Sequence, residues 1–131
     1  RTSNLEAMQT IPPFWQKFYQ EGILQQIANK VSDNVYAVYT NFENEGKNNE
    51  GAYSLIIGAE VKNFDSIPAP FVSTVIPVSK RAVFGVETGH PEKVGEKWME
   101  IWKLSDLKKT FIADYEQYEI SGAINIFVGI E

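Results

Sequence analysis

Apolar and polar positions along this chain repeat one pattern twice. Asn34-Val35-Tyr36-Ala37-Val38-Tyr39-Thr40 and Asp114-Tyr115-Glu116-Gln117-Tyr118-Glu119 share a Tyr-x-x-Tyr frame, with alanine in the first copy where the second carries Glu116. Downstream, Ser54-Leu55-Ile56-Ile57-Gly58-Ala59-Glu60 matches Asn125-Ile126-Phe127-Val128-Gly129-Ile130-Glu131 in apolar run, glycine and final glutamate. Each copy thus predicts two strands in order. The polar stretch Asn44-Glu45-Gly46-Lys47-Asn48-Asn49-Glu50-Gly51 reads as a longer hairpin loop in the first copy.

A helix precedes each strand pair. In the first, Pro12 and Pro13 suit a first turn with Thr10 as N-cap, and Phe14, Trp15, Phe18, Tyr19, Ile23, Leu24 and Ile27 recur at helical spacing. In the second, Pro91 and Glu92 open a segment in which Val94, Trp98, Ile101 and Trp102 make one apolar face. Before it, Arg81-Ala82-Val83-Phe84-Gly85-Val86-Glu87 reads as a strand, closed by the turn Thr88-Gly89-His90-Pro91. The second repeat, about 71–131, is therefore strand-helix-strand-strand. The first, about 1–63, opens on Arg1-Thr2-Ser3-Asn4-Leu5-Glu6-Ala7-Met8-Gln9, which has no strand alternation. Its first strand is expected to be missing through truncation or trimming, which leaves a sheet position unpaired and predicts a homodimer through that edge.

The pattern predicts one α+β domain over 1–131, and a hydrophobic content of 44% in 131 residues allows such a core. The chain contains no cysteine, which excludes disulfides and thiol chemistry and favours the cytoplasm. No apolar run approaches the roughly 20 residues that span a bilayer, and the start lacks signal-peptide character. A net charge of −5 with scattered basic residues argues against nucleic acid and weakly favours cationic partners.

On a strand, Asp114, Glu116 and Tyr118 point to one face and Tyr115 and Gln117 to the other. Ala37 and Tyr39 occupy the equivalents of Glu116 and Tyr118, and a small residue beside a tyrosine suits a cavity wall, so Glu116 and Tyr118 are expected to face inward. A carboxylate in an apolar cavity demands a partner or a raised pKa, and an organic cation among Tyr and Trp rings supplies one. The alternative leaves Glu116 exposed and serving only solubility. Trp98 and Trp102, Phe14 and Phe18, and Trp15 and Tyr19 are spaced four apart, a spacing that serves core packing by default. His90 stands alone in its turn, so neither a metal site nor a Ser-His-Asp arrangement is expected. No phosphate-binding glycine loop is present. A hydrolase using Glu116 as base or nucleophile and Tyr118 as acid stays open.

Trp15-x-x-Phe18, Tyr36-Ala37-Val38-Tyr39, Arg81-Ala82-Val83-Phe84, Trp98-Met99-Glu100-Ile101-Trp102 and Tyr115-Glu116-Gln117-Tyr118, in this order, resemble the effector-binding domain of AraC-type and MerR-type multidrug regulators, also called gyrase-inhibitor-like, and most of all a stand-alone member found as an integron cassette protein. The resemblance covers nearly the whole chain. It implies two pseudo-symmetric βαββ units sharing an antiparallel sheet, with a ligand groove between two helices. It also implies a binding module for lipophilic or amphipathic organic cations with Glu116 as counter-charge beside Tyr118, and Tyr36, Tyr39, Tyr53, Trp98 and Trp102 as further wall candidates. No cofactor, membrane or direct nucleic-acid contact is implied, since the DNA-binding region of the regulators has no counterpart here. Relatives often carry tyrosine where Arg81 stands, and a basic residue there opposes a cation unless it points away. The resemblance leaves two alternatives: a glutamate/tyrosine hydrolase of reactive small molecules, and a gyrase-inhibitor-like protein-interaction module.

Overall fold

The computed structural model describes residues 1–65, 67 and 71–131. It is an α+β structure with one antiparallel six-stranded sheet. The strands are β1 (Thr2–Ser3), β2 (Val35–Thr40), β3 (Ala52–Gly58), β4 (Arg81–Val86), β5 (Ala113–Tyr118) and β6 (Ile124–Gly129), in the spatial order β1-β3-β2-β5-β6-β4. Helices α1 (Ala7–Gln20) and α2 (Ile23–Gln26) precede β2, and a 3-10 turn at Pro91–Lys93 leads into α3 (Val94–Trp102).

The order is that of two βαββ units joined through their middle strands. β2 and β5 pair antiparallel with Ala37 opposite Glu116, and each hairpin partner lies outside them. The first connection runs through 41–51, whereas the second closes over 119–123, where Gly122 adopts φ 97°. A side chain is strained in that conformation, and glycine removes the strain.

Two expectations are corrected. The first strand is not missing: Thr2 and Ser3 pair with Tyr53 and Ala52, and the buried Thr2 hydroxyl lies 2.5 Å from that of Thr10. Two residues are too few to register as alternation, so pairing with β3 rather than sequence pattern defines this strand. Likewise α1 begins at Ala7, with Pro12 and Pro13 inside it and Thr10 bonding back to the Glu6 carbonyl instead of capping. The turn Ser3–Glu6, closed by a bond from Glu6 N–H to Ser3 C=O, starts the helix earlier than its prolines suggest.

Alternation sorts the sheet into two faces. Ala37, Tyr39, Asp114, Glu116, Tyr118, Ile124, Ile126 and Val128 share the face that the helices cover. There Val94, Trp98 and Ile101 of α3 pack on Val86, Ile124, Ile126 and Val128, with Tyr39, Phe84 and Tyr118 against them. On the other face Tyr36 and Tyr115 meet at 6.0 Å, Phe127 stacks on Tyr115 at 4.6 Å, and the Arg81 guanidinium lies 5.5 Å over the Tyr115 ring. Among the described residues no helix is long and apolar enough to cross a membrane.

Candidate functional site

Glu116 is 1% exposed and lies at the centre of the helix-covered face. Its carboxylate accepts three hydrogen bonds. Tyr39 Oη donates to Oε2 at 2.7 Å, Trp98 Nε1 donates to the same oxygen at 2.6 Å, and Tyr118 Oη donates to Oε1 at 2.5 Å. No salt bridge reaches it among the described residues; the basic side chains that form ion pairs do so at the surface. Burial raises its pKa, and the Tyr118, Tyr39 and Trp98 donors oppose that rise. Burial and the adjacent carboxylate in turn push the Tyr39 and Tyr118 hydroxyls up, which keeps both as donors.

The repeat organises this shell. Tyr39 and Tyr118 are equivalent residues, and both reach one carboxylate. Trp98 meets Tyr39 edge-on at 5.5 Å, and Trp15 meets Tyr118 edge-on at 5.1 Å, with an interplanar angle of 72° in both pairs. Each tryptophan carries an aromatic neighbour one helical turn on: Tyr19 lies 5.9 Å from Trp15, and Trp102 lies 6.1 Å from Trp98. Two similar aromatic walls, one from α1 and one from α3, therefore flank a single acid. The symmetry breaks at the tryptophans, since Trp98 donates to Glu116 while Trp15 makes no such bond.

Of the sequence candidates, Tyr39, Tyr118 and Trp98 contact Glu116 directly. Trp102 lines the outer end of the α3 wall, and Tyr53 packs on Tyr39 at 5.8 Å while donating to Asn4. Tyr36 is not with them: it sits on the opposite face, where its hydroxyl accepts from Gln117. The cause is strand parity, since Tyr36 is odd in step with Ala37. Trp15 and Tyr19 were read as packing only; their four-residue spacing, repeated in Trp98 and Trp102, carried the signal that they form the second wall. Arg81 points to the face away from Glu116, so it does not oppose a cation there.

An open groove of about 460 Å³ reaches this shell from the α1 side. Tyr118, Tyr19 and Leu24 line it together with the charged residues Lys30, Asp33 and Glu119. Asp33 is paired with Lys30 at 2.8 Å. Tyr118 is thus the side chain shared by the groove and the buried carboxylate. Among the described residues no cluster of His, Asp and Glu could hold a metal ion.

The family model for Cass2, integron-associated effector binding protein, matches residues 1–130. Among solved structures, integron cassette protein VCH_CASS2 from the mobile metagenome of Vibrio cholerae is similar to this chain, with a TM-score of 0.76 and 25% identity over 99% of this chain and 84% of that one. No curated protein matches. These similarities define the class: a small-molecule-binding, effector-type module. Within it, the chain belongs to the Cass2 family of integron-associated effector-binding proteins.

Proposed function

We propose that the protein binds amphipathic organic cations in the groove that ends at Tyr118, with Glu116 as the counter-charge. The observation that carries this reading is a fully buried carboxylate, held between two aromatic walls by neutral donors alone. Removing a charge from water is costly, and three hydrogen bonds offset only part of that cost. A cation that displaces Tyr118 from Oε1 would restore the missing opposite charge, while rings of Trp15, Tyr19 and Trp98 add attraction of about 0.5–2 kcal/mol each. Asp33 and Glu119 line the groove against one cation, Lys30, and this net negative balance favours the same sign of ligand.

Fluorescence titration tests the reading, because Trp15 and Trp98 border the site. Tetraphenylphosphonium is expected to bind wild type and to lose at least about tenfold in affinity on Glu116→Gln, a difference of about 1.4 kcal/mol. Equal binding of a neutral isostere, or unchanged affinity in the variant, would remove Glu116 as counter-charge.

A further inference from the structure

The donors to Glu116 are not shared evenly between its oxygens. Oε2 accepts from Tyr39 Oη at 2.7 Å and from Trp98 Nε1 at 2.6 Å, whereas Oε1 accepts from Tyr118 Oη alone, at 2.5 Å, among the described residues. An ionised carboxylate offers about four acceptor places, two on each oxygen. Oε2 is therefore filled by the protein, and Oε1 holds one donor for two places.

The internal repeat says what the fourth donor would be. Trp15 stands to Tyr118 as Trp98 stands to Tyr39, edge-on at 5.1 and 5.5 Å. The Trp98 indole reaches the acid, and the Trp15 indole makes no such bond among the described residues. Trp15 instead stacks on Tyr19 at 5.9 Å and meets Phe18 edge-on at 6.1 Å. Oε1 is thus the less firmly held oxygen, and its single donor, Tyr118, is the residue that also lines the groove.

We propose that the site selects cations that carry N–H on the charged centre, protonated amines and amidinium groups, over quaternary ammonium and phosphonium ions. The inference rests on the reading of Glu116 as counter-charge and names the ligand class for it. A cation arriving through the groove takes Tyr118 off Oε1. A centre without N–H meets the charge but leaves a buried oxygen with no donor, and an acceptor stranded in this way bears its full desolvation cost. A centre with N–H replaces the lost bond by a charge-assisted one, which is the stronger kind. A second N–H would fill the place that Trp15 leaves. Oε2 keeps Tyr39 and Trp98 throughout, so the acid stays oriented while its other oxygen exchanges donors. Tetraphenylphosphonium, which has no N–H, belongs to the weaker class.

The probes are diphenylpropyl-ethylmethylammonium and diphenylpropyl-trimethylammonium, constitutional isomers of equal charge at neutral pH, the first with one N–H and the second with none. Fluorescence titration of wild type is expected to give the N–H isomer at least about tenfold the affinity of the other, a difference of about 1.4 kcal/mol. That order runs against hydration, since the N–H centre is the harder of the two to bring out of water. In Glu116→Gln both isomers should weaken and the preference should collapse towards parity, with thermal unfolding as the folding control; the wild-type comparison decides if that variant does not fold. Equal affinities in wild type, or tighter binding of the quaternary isomer, would overturn the proposal, and would leave Glu116 as counter-charge if both isomers still weaken in Glu116→Gln. A preference that survives Glu116→Gln but is lost on joint Asp33→Asn and Glu119→Gln substitution would place the N–H contact on the groove carboxylates and overturn it too. Binding of neither isomer, or affinities of both untouched by Glu116→Gln, would remove the counter-charge reading itself and this inference with it.

Discussion

Ala37 and Glu116 face each other across β2 and β5, and they are also the equivalent residues of the two repeats. An antiparallel pair of equivalent strands brings equivalents opposite each other at one point only, where the pseudo-twofold axis passes. The acid sits on that axis, so Tyr39 and Tyr118 approach it from related directions. Two carboxylates could not share this place without strong like-charge repulsion, and the first repeat supplies a methyl group instead.

Ala37 is wholly buried, so its size sets the room available to Glu116. Ala37→Leu is expected to overpack the axis and cost about 1–3 kcal/mol. Urea unfolding at neutral pH measures this, and an unchanged midpoint would show spare volume beside the carboxylate.

Tyr39→Phe and Tyr118→Phe each remove one donor from the buried acid and should each cost about 1.5–3 kcal/mol where Glu116 is ionised. Both donors serve one carboxylate, so the double variant should depart from additivity by at least about 0.5 kcal/mol. Strict additivity across a double-mutant cycle would argue that the two hydroxyls act independently.

Asp114, buried beside the site, accepts from the Gly129 N–H at 2.8 Å, yet burial raises its pKa from 3.8 to about 6. A carboxyl with a folded pKa above the unfolded one favours the folded state when protonated. Its contribution is complete below about pH 3.8 and is lost as pH rises through about 6. The shift corresponds to about 3 kcal/mol. Asp114→Asn should flatten the fall in stability between these pH values while Glu116, whose raised pKa acts with the same sign, retains its share. A pH profile identical to wild type would exclude Asp114 as a source.

Gly129 packs where a side chain does not fit. A Cβ there would lie 2.7 Å from Thr110 Oγ1 and 3.3 Å from the Ala113 carbonyl oxygen. Gly129→Ala should cost about 1–3 kcal/mol, and Thr110→Ala in the same chain should recover part of it. No recovery would place the strain at the Ala113 backbone instead.

Much of this was legible in the residues. The repeated Tyr-x-x-Tyr frame gave the strand order, and parity gave the inward direction of Glu116 once Ala37 was read as its equivalent. Tyr36 was misplaced by ignoring that same parity. The full aromatic shell was hidden because Trp15, with Tyr19 stacked on it, meets Tyr118 only in three dimensions, 103 positions further along the sequence. β1 escaped because two residues carry no periodicity, and the start of α1 because proline at helix position N1 is the commoner arrangement.

Pro12 and Pro13 sit inside α1, ahead of Trp15. Neither has an N–H to give, so the carbonyls of Met8 and Gln9 lack their usual partners one turn on. The helix is therefore two mechanical pieces. Residues 7–11 are tied to β1 through the contact between Thr2 and Thr10, while Trp15 meets Tyr118 of the sheet and holds Phe18 and Tyr19 through ring contacts within the helix. Fraying or rearrangement at the edge strand can be absorbed at the proline pair, so the aromatic wall of the site is insulated from whatever happens to the first turn.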